Sequence, residues 1–497
     1  MKGGDGIYLA IDLGAGSGRV IAGIVSDGVM RLEEVARFEN HAIEEGRDLF
    51  WDFETLWKSI LDGLGEAVQK LGADQIRSIG VDTWGVDYGL LDCDRNLLAR
   101  PRNHRDPRTR GMLKRLFKSL PKEELFKETG IQCIDINTLP QLCAETEDHR
   151  KLLEKAHCFL LMPDLVNYRL SGKLVCERTN ASTTQMYHPM KRKWSRKVFE
   201  AARVPFRLAP DLIDPGCELG PLLPDLALQT GLSPETKIVT VGSHDTASAV
   251  AAVPAKSGKR FAYLSSGTWS LLGVELDEPA LTKLALEHNI TNEAGVFGTV
   301  RLLKNINGMW LVQECRRVWK EQGHDFSFEE LADLADGASP FQAFIDPDEG
   351  RFTGRCGMPE VIADYCRETG QQVPQSRASV IRVIIDSLAL KVRFVLEKLE
   401  EIVGEPVELL HIIGGGGKNP LLNQSIASSI NRPVIVGPYE ATAAGNVMMQ
   451  CHAACGVSDL EEGRAMIRRS FENESYCPSE VADWEKAYLR FLKLMSW

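Results

Sequence analysis

Two short hairpins constrain this chain more than any other feature. Residues 8–25, YLAIDLGAGSGRVIAGIV, run as strand, glycine-rich turn and strand, and Ser26-Asp27-Gly28 then turns the chain into the alternating stretch MRLEEVARF. The turn Gly14-Ala15-Gly16-Ser17-Gly18-Arg19 looks like a dinucleotide loop, but Arg19 stands where the third glycine is needed, and no helix follows to receive a pyrophosphate. No Gly-Lys-Ser/Thr follows the glycines, which excludes a Walker A loop. Taken alone, the turn reads equally as a nest of backbone N–H groups for phosphate and as a plain hairpin of small residues. Near residue 255 the pattern restarts: RFAYLSSGTWSLLGVEL is a strand, a small polar turn at Ser265-Ser266-Gly267-Thr268, and an apolar strand. A phosphate-type hairpin in each half of an α/β chain predicts two lobes closing on a nucleotide.

Around the hairpins, strand-like and helix-like segments alternate. LWKSILDGLGEAVQKLG is amphipathic at helical period, and IRSIGVDTWGVDYGLLD reads as two strands broken near Gly85. LPQLCAETEDHRKLLEKA predicts a helix, and KIVTVGSHDTASAVAAVP a strand, a polar turn and a small-residue helix. ASVIRVIIDSLALKVRFVLEKLEEIVG predicts the longest helix. ELLHIIGGGGKNPLLNQSIASSI predicts a strand, four glycines and a helix capped by Asn419 with Pro420 at its first position.

At 497 residues the chain exceeds one core, and roughly two to four domains are expected. A formal charge of −11 leaves no basic footprint, which argues against nucleic acid or an anionic membrane as partner. No apolar run has the length of a membrane span and the first residues lack the marks of a secretory signal, so a cytoplasmic location is expected. The 12 cysteines and 10 histidines show no paired ligand spacing, and no structural metal is predicted.

The segments AIDLGAGSGRV, VDTWGVDYGLLD, HRDPRT, LMPDLVNYRLSG with TNASTTQMY, VGSHDTASAV, YLSSGTWSLLG, NITNEAG, LLKNINGMWLVQE and IIGGGGKNPLLNQ follow one another from residue 8 to about residue 450. In that order they resemble the FGGY family of sugar kinases, in the superfamily of actin and hexokinase, and within it the branch acting on L-rhamnulose. The resemblance implies an α/β fold of two ribonuclease-H-like lobes with a catalytic cleft between them. Residues 1–250 would hold mainly the sugar and 251–497 mainly ATP. It also implies transfer of the γ-phosphoryl group of ATP, with Mg²⁺, to a primary hydroxyl, giving L-rhamnulose 1-phosphate and ADP.

Asp245, between the strand KIVTVGSH and the helix TASAVAAV, reads from position either as a helix cap or as a carboxylate that accepts the proton of the attacking hydroxyl. The resemblance selects the base, and places its neighbours His244 and Thr246 on the sugar. It makes Asp12 the carboxylate that orients Mg²⁺ through water, and Ala15, Gly16, Ser17, Gly18 and Arg19 the wrap around the phosphates. Thr268 and Gln313 become ATP contacts by the same resemblance, and Gly85 and Asn305 sugar contacts. Gly416 lies in the run Gly414-Gly415-Gly416-Gly417, where the absence of Cβ admits a nucleotide, although a flexible loop has the same letters. His104 stands where many members carry an aromatic residue, with Arg105 and Asp106 placed to bracket sugar hydroxyls. Trp84 and Trp269 read as core aromatics.

Other acceptors remain open, since selectivity among hydroxyl epimers rests on a few side chains: L-fuculose, L-xylulose or a small linear quorum signal. From another class, an actin-like nucleotide-binding protein without sugar kinase activity would share the hairpins, but has no need of the His244-Asp245-Thr246 segment. The sequence specifies no oligomeric state.

Overall fold

The computed structural model describes residues 4–267, 269–354 and 356–495, which fold as two α/β units. The first comprises Met1–Ala252, Glu275–Leu302 and Ala441–Ser470, and the second Val253–Val274, Leu303–Glu440 and Phe471–Trp497.

In the first unit β1 (Gly6–Leu13), β2 (Ser17–Ser26) and β3 (Val29–Glu39) form the antiparallel meander that the two turns predict. α1 (Phe53–Leu71) starts at Asp52, whose side chain accepts from Thr55 N at 3.2 Å. β4 (Ile76–Thr83) then runs parallel to β1, and β5 (Glu218–Pro221) and β6 (Lys237–Val239) complete a sheet in the order β5-β6-β4-β1-β2-β3. α2 (Asp245–Ala251) follows β6. Helical spacing brings Phe53, Leu56, Ile60, Leu64 and Ala67 of α1 into one core with Leu9, Ile11, Ile79 and Val81 of the sheet. Strand alternation turns Ser78, Gly80 and Asp82 to the opposite face. The predicted helix over residues 139–156 is two helices, Thr138–Asp148 and Arg150–Lys155, because the backbone leaves the helical region at His149, where φ is −134°.

The second unit repeats the opening topology. β7 (Phe261–Ser266) pairs antiparallel with β8 (Trp269–Leu276), its hairpin partner, just as β1 pairs with β2. β9 (Val300–Asn307) flanks β8 and leads into α3 (Trp310–Glu321). α4 (Arg377–Val403), the longest helix, opens on a capping box of Ser376 and Ser379. β10 (Leu409–Ile413) runs parallel to β7, as β4 does to β1. α5 (Pro420–Ile430) is capped as predicted, with Asn419 Oδ1 accepting from Leu422 N at 2.9 Å. β11 (Val434–Val436) and β12 (Glu474–Tyr476) extend the sheet beyond β10. No helix among the described residues is long and apolar enough to cross a membrane.

Between β11 and β12 the chain returns to the first unit as α6 (Ala441–Ala453), which packs on α2 and on the polar face of β4. The two helices are rich in Ala and meet backbone to backbone: a Cβ added at Gly445 would stand 1.8 Å from Ser248 O. Gly445→Val therefore has to push the helices apart, and is expected to lower stability by about 1–3 kcal/mol. Calorimetry reads this as a fall in Tm; an unchanged Tm would show that the contact is loose enough to take a side chain.

Candidate active site

β1 and β4 end side by side in the first unit, so Asp12 and Asp82 are direct neighbours in register. Thr83 continues into a bridge with His244, its N donating to Ser243 O at 2.9 Å. The carboxylates of Asp12, Asp82 and Asp245 are thereby brought within electrostatic range at one end of the sheet. Asp82 is fully buried; its Oδ2 accepts from Asn446 Nδ2 at 2.6 Å, while Oδ1 has no hydrogen-bond partner. Burial, then the charge of Asp12, push its carboxyl well above the usual range, against the pull of the Asn446 amide.

Asp245 is the first residue of α2, and the cap position belongs to His244, whose side chain makes no capping bond. Its Oδ1 accepts from Thr246 N at 2.6 Å and Thr246 Oγ1 at 3.1 Å, and the side chain is 34% exposed. Glu177, fully buried, fixes the preceding backbone: it accepts from Ser243 N at 3.1 Å and from Thr179 Oγ1 at 2.5 Å, and Thr179 Oγ1 in turn accepts from His244 N at 3.2 Å. Burial raises the Glu177 carboxyl to about 7, although these donors pull it down.

The first hairpin presents exposed backbone at Ala15 and Gly16, with Ser17 and Arg19 half-buried and Gly18 buried. Asn40 secures the turn, its Nδ2 donating to Gly14 O at 2.9 Å and its N to Gly16 O at 3.2 Å. Arg19 lies opposite Asp12 in the ladder and pairs with its carboxylate. Mg²⁺ takes one or two carboxylates and completes its octahedron with water and phosphate oxygens. Asp12 beside Asp82, with Oδ1 of Asp82 lacking a partner, fits that requirement. Among the described residues no group of three or more His, Cys, Asp or Glu is placed to hold a metal.

Gly85 packs on Thr183, and the turn after it is strained: Val86, a β-branched residue, has φ +71°, with Asp87 N donating to Gly85 O at 3.0 Å. The strain is held by Thr138 Oγ1, which donates to Val86 O at 2.6 Å, and by buried Asp87. Asp87 Oδ2 accepts from Trp51 Nε1 at 2.7 Å, Trp84 Nε1 at 2.9 Å and His104 Nδ1 at 2.8 Å, and Oδ1 from Gln141 Nε2 at 3.0 Å. Burial opposes its charge, but His104 and the indole donors hold the carboxyl below its usual range. Trp84 is thus a core residue, as its letters suggest, whose polar edge helps aim His104. Asp106 does not bracket a ligand: it is buried and accepts from Leu49 N at 2.8 Å and Arg108 N at 2.9 Å, shaping the loop.

In the second unit, Thr268 lies outside the described residues. Gln313 and Gly416 both adjoin its hairpin. Gly267 O accepts from Met309 N at 3.1 Å, and Gln313 is one helical turn further on, half-buried. A Cβ on Gly416 would stand 2.2 Å from Ser266 Oγ, so the glycine run has a packing requirement of its own at this position. Trp269, expected in a core, is 43% exposed, because the ladder ends at the Ser266–Ser270 pair and leaves it at the hairpin tip. Asn305 is half-buried on β9 and belongs to this unit, whereas Gly85, His244 and Thr246 belong to the first.

The sequence did not point to Glu177, Asp87, Glu293, Arg301 or Asn446. Asn446 is 364 positions from its partner Asp82, and Glu177 is 66 from Ser243, so no local pattern marks them.

Residues 7–252 match the N-terminal domain, and residues 262–454 the C-terminal domain, of the FGGY family of carbohydrate kinases. A rhamnulokinase of Bacteroides thetaiotaomicron is 44% identical over 484 residues, covering 97% of this chain and 98% of that one. A rhamnulokinase of Bacillus subtilis is 40% identical over 479 residues, 96% of each chain. Among solved structures, a gluconate kinase from Lactobacillus acidophilus matches with a TM-score of 0.80 at 15% identity, over 98% of this chain and 97% of that one. A ligand-bound xylulose kinase from the same organism matches with a TM-score of 0.79 at 14% identity and the same coverage. The last two are likenesses of fold.

Glu177 has a titration consequence. Its folded value of about 7 lies above the ordinary 4.5, so between these limits the folded chain keeps a proton that the unfolded chain has lost. Its contribution to stability accordingly falls as pH rises through that window. Glu177→Gln is expected to flatten the dependence, by on the order of 2 kcal/mol between about pH 5 and pH 8. Urea unfolding of both chains at the two pH values measures it, and parallel profiles would exclude the titration.

Proposed function

We propose that this chain, which belongs to the FGGY family of carbohydrate kinases, transfers the γ-phosphoryl group of ATP to the primary hydroxyl of L-rhamnulose, giving L-rhamnulose 1-phosphate and ADP. The observation that carries the reading is Asp245, an accessible carboxylate fixed at the head of α2 beside two largely buried acids, Asp12 and Asp82. The choice of L-rhamnulose is supported by likeness along the whole chain to the rhamnulokinases of B. thetaiotaomicron and B. subtilis.

In this reading Asp245 accepts the hydroxyl proton as that oxygen forms its bond to phosphorus and the bond to ADP breaks. Thr246 holds one carboxylate oxygen from two directions, so the other is left to take the proton. His244, Thr246, Gly85 and Asn305 orient the sugar. The exposed backbone at Ala15 and Gly16, with Ser17 and Gly18, donates to phosphate oxygens, and Arg19 adds positive charge to them. Thr268, Gln313 and Gly416 hold the rest of the nucleotide. Mg²⁺, held by Asp12 through water, would supply charge neutralisation at the phosphates. Residues 1–250 serve mainly the sugar and residues 251–497 mainly ATP.

ADP release with Mg-ATP and L-rhamnulose, L-fuculose, L-xylulose, D-xylulose, L-ribulose or glycerol tests both the reaction and its acceptor. The expected outcome is a clear preference for L-rhamnulose. Asp245→Asn should keep ATP binding and lower turnover by at least about 10²-fold. Near-normal turnover in that variant removes Asp245 from the chemistry, and release that no sugar stimulates removes the kinase reading.

A further inference from the structure

His104 sits in a loop that the chain ties down on both sides. Trp51 N donates to Pro101 O at 2.8 Å and Asn103 N to Leu49 O at 2.9 Å, so residues 101–103 are laced along the strand Asp48–Trp51. Beyond the histidine, Arg105 N donates to Asn103 Oδ1 at 2.8 Å, and Asp106 accepts from Leu49 N. None of the roles assigned above uses His104.

Its partner decides which ring nitrogen carries the hydrogen. Nδ1 is 2.8 Å from Asp87 Oδ2, and an ionised carboxylate only accepts. Asp87 is such a carboxylate, since its four side-chain donors hold it below the usual range although it is buried. Nδ1 therefore bears the hydrogen, and the neutral ring offers Nε2 as an acceptor. Among the described residues Nε2 has no hydrogen-bond partner, and 13% of the side chain is exposed.

The place of the ring gives that acceptor a use. The turn Trp84–Asp87 continues β4 past Thr83, which bridges to His244, so it leaves the sheet at the end that carries Asp12, Asp82 and Asp245. His104 joins this turn through Asp87, whose Oδ2 also takes the Trp84 indole. Trp51 and Trp84, with ring centroids 4.4 Å apart, are both buried, and both of their N–H groups are spent on Asp87. His104 Nε2 is left to meet a ligand.

We propose that His104 is a specificity-determining residue: its Nε2, aimed by Asp87, accepts a hydrogen bond from one sugar hydroxyl other than the one phosphorylated. This rests on the kinase reading. A site that pairs a hydroxyl rejects an acceptor lacking it, because the site's own polar group is left unpaired, whereas an apolar wall tolerates the loss.

Long-range ¹⁵N–¹H spectra of the full chain read the ring directly, with His104 identified by the signals lost in His104→Phe. Without ligands His104 should be Nδ1–H with a bare Nε2, and L-rhamnulose added without ATP should move the Nε2 signal. Kinetics with L-rhamnulose and its analogues lacking the C3, C4 or C5 hydroxyl then read the specificity. In the unmodified chain one analogue should lose about tenfold or more in kcat/KM. His104→Phe should lose a similar factor with L-rhamnulose while the KM for ATP is unchanged, and removing that same hydroxyl should then cost nothing further. His104→Gln, which can donate to Asp87 and turn a carbonyl to the sugar, should recover part of the loss. A hydrogen on Nε2, an Nε2 signal unmoved by a sugar that is phosphorylated, or the same analogue penalties in the unmodified and His104→Phe chains overturns the proposal alone. ADP release that no sugar stimulates overturns the kinase reading and the proposal with it.

Discussion

Between Gly445 of α6 and Ser248 of α2 there is room for backbone and nothing else. That approach sets where the rest of α6 falls. Asn446, the next residue, reaches Asp82 Oδ2 and donates to Gly80 O at 3.2 Å. Gln450, one turn on, donates to Leu9 O at 3.0 Å and accepts from Ser78 Oγ at 2.6 Å. A single polar stripe therefore clamps β1 and β4, the strands that carry Asp12 and Asp82, to the helix packed against the one that Asp245 begins. Interior packing of this density transmits small shifts rather than absorbing them.

Four of the buried acids of the first unit differ in what surrounds them. Asp87 is surrounded by four donors and stays below its usual value. Glu293 has a guanidinium beside it and does the same. Glu177 meets backbone N–H groups and a hydroxyl, yet burial prevails. Asp82 has one amide and another acid for a neighbour. Of the four, it is Asp82 that adjoins Asp12 in register and lies within electrostatic range of Asp245.

Much of this was legible in the letters. Both hairpins, the amphipathic α1, the break at Gly85, the long α4 and the Asn419 cap follow from turn chemistry and periodicity, which are local. Asp245 was legible as a choice between cap and base, and in the structure it follows the cap residue His244 and accepts from Thr246 N in the first turn. What failed to show was tertiary. Val86 carries no sign that its φ is positive, since a β-branched residue argues the other way, and only the surrounding hydrogen bonds overrule it. Trp269 looked like core because it is a tryptophan beside apolar residues, but hairpin register rather than hydrophobicity decides which residue sits at a tip. Glu293 and Arg301 look like ordinary surface charges until both are enclosed against His244.

The first unit is assembled from three stretches of chain, the last of them Ala441–Ser470. During synthesis from the N-terminus at roughly 5–20 residues per second, that stretch leaves the ribosome on the order of ten seconds or more after residue 252. Until then Ser78, Gly80 and Asp82 have no helix over them, and the small-residue surface of α2 is open. The amide that meets Asp82 Oδ2 is thus supplied by a stretch of chain made only after most of the second unit.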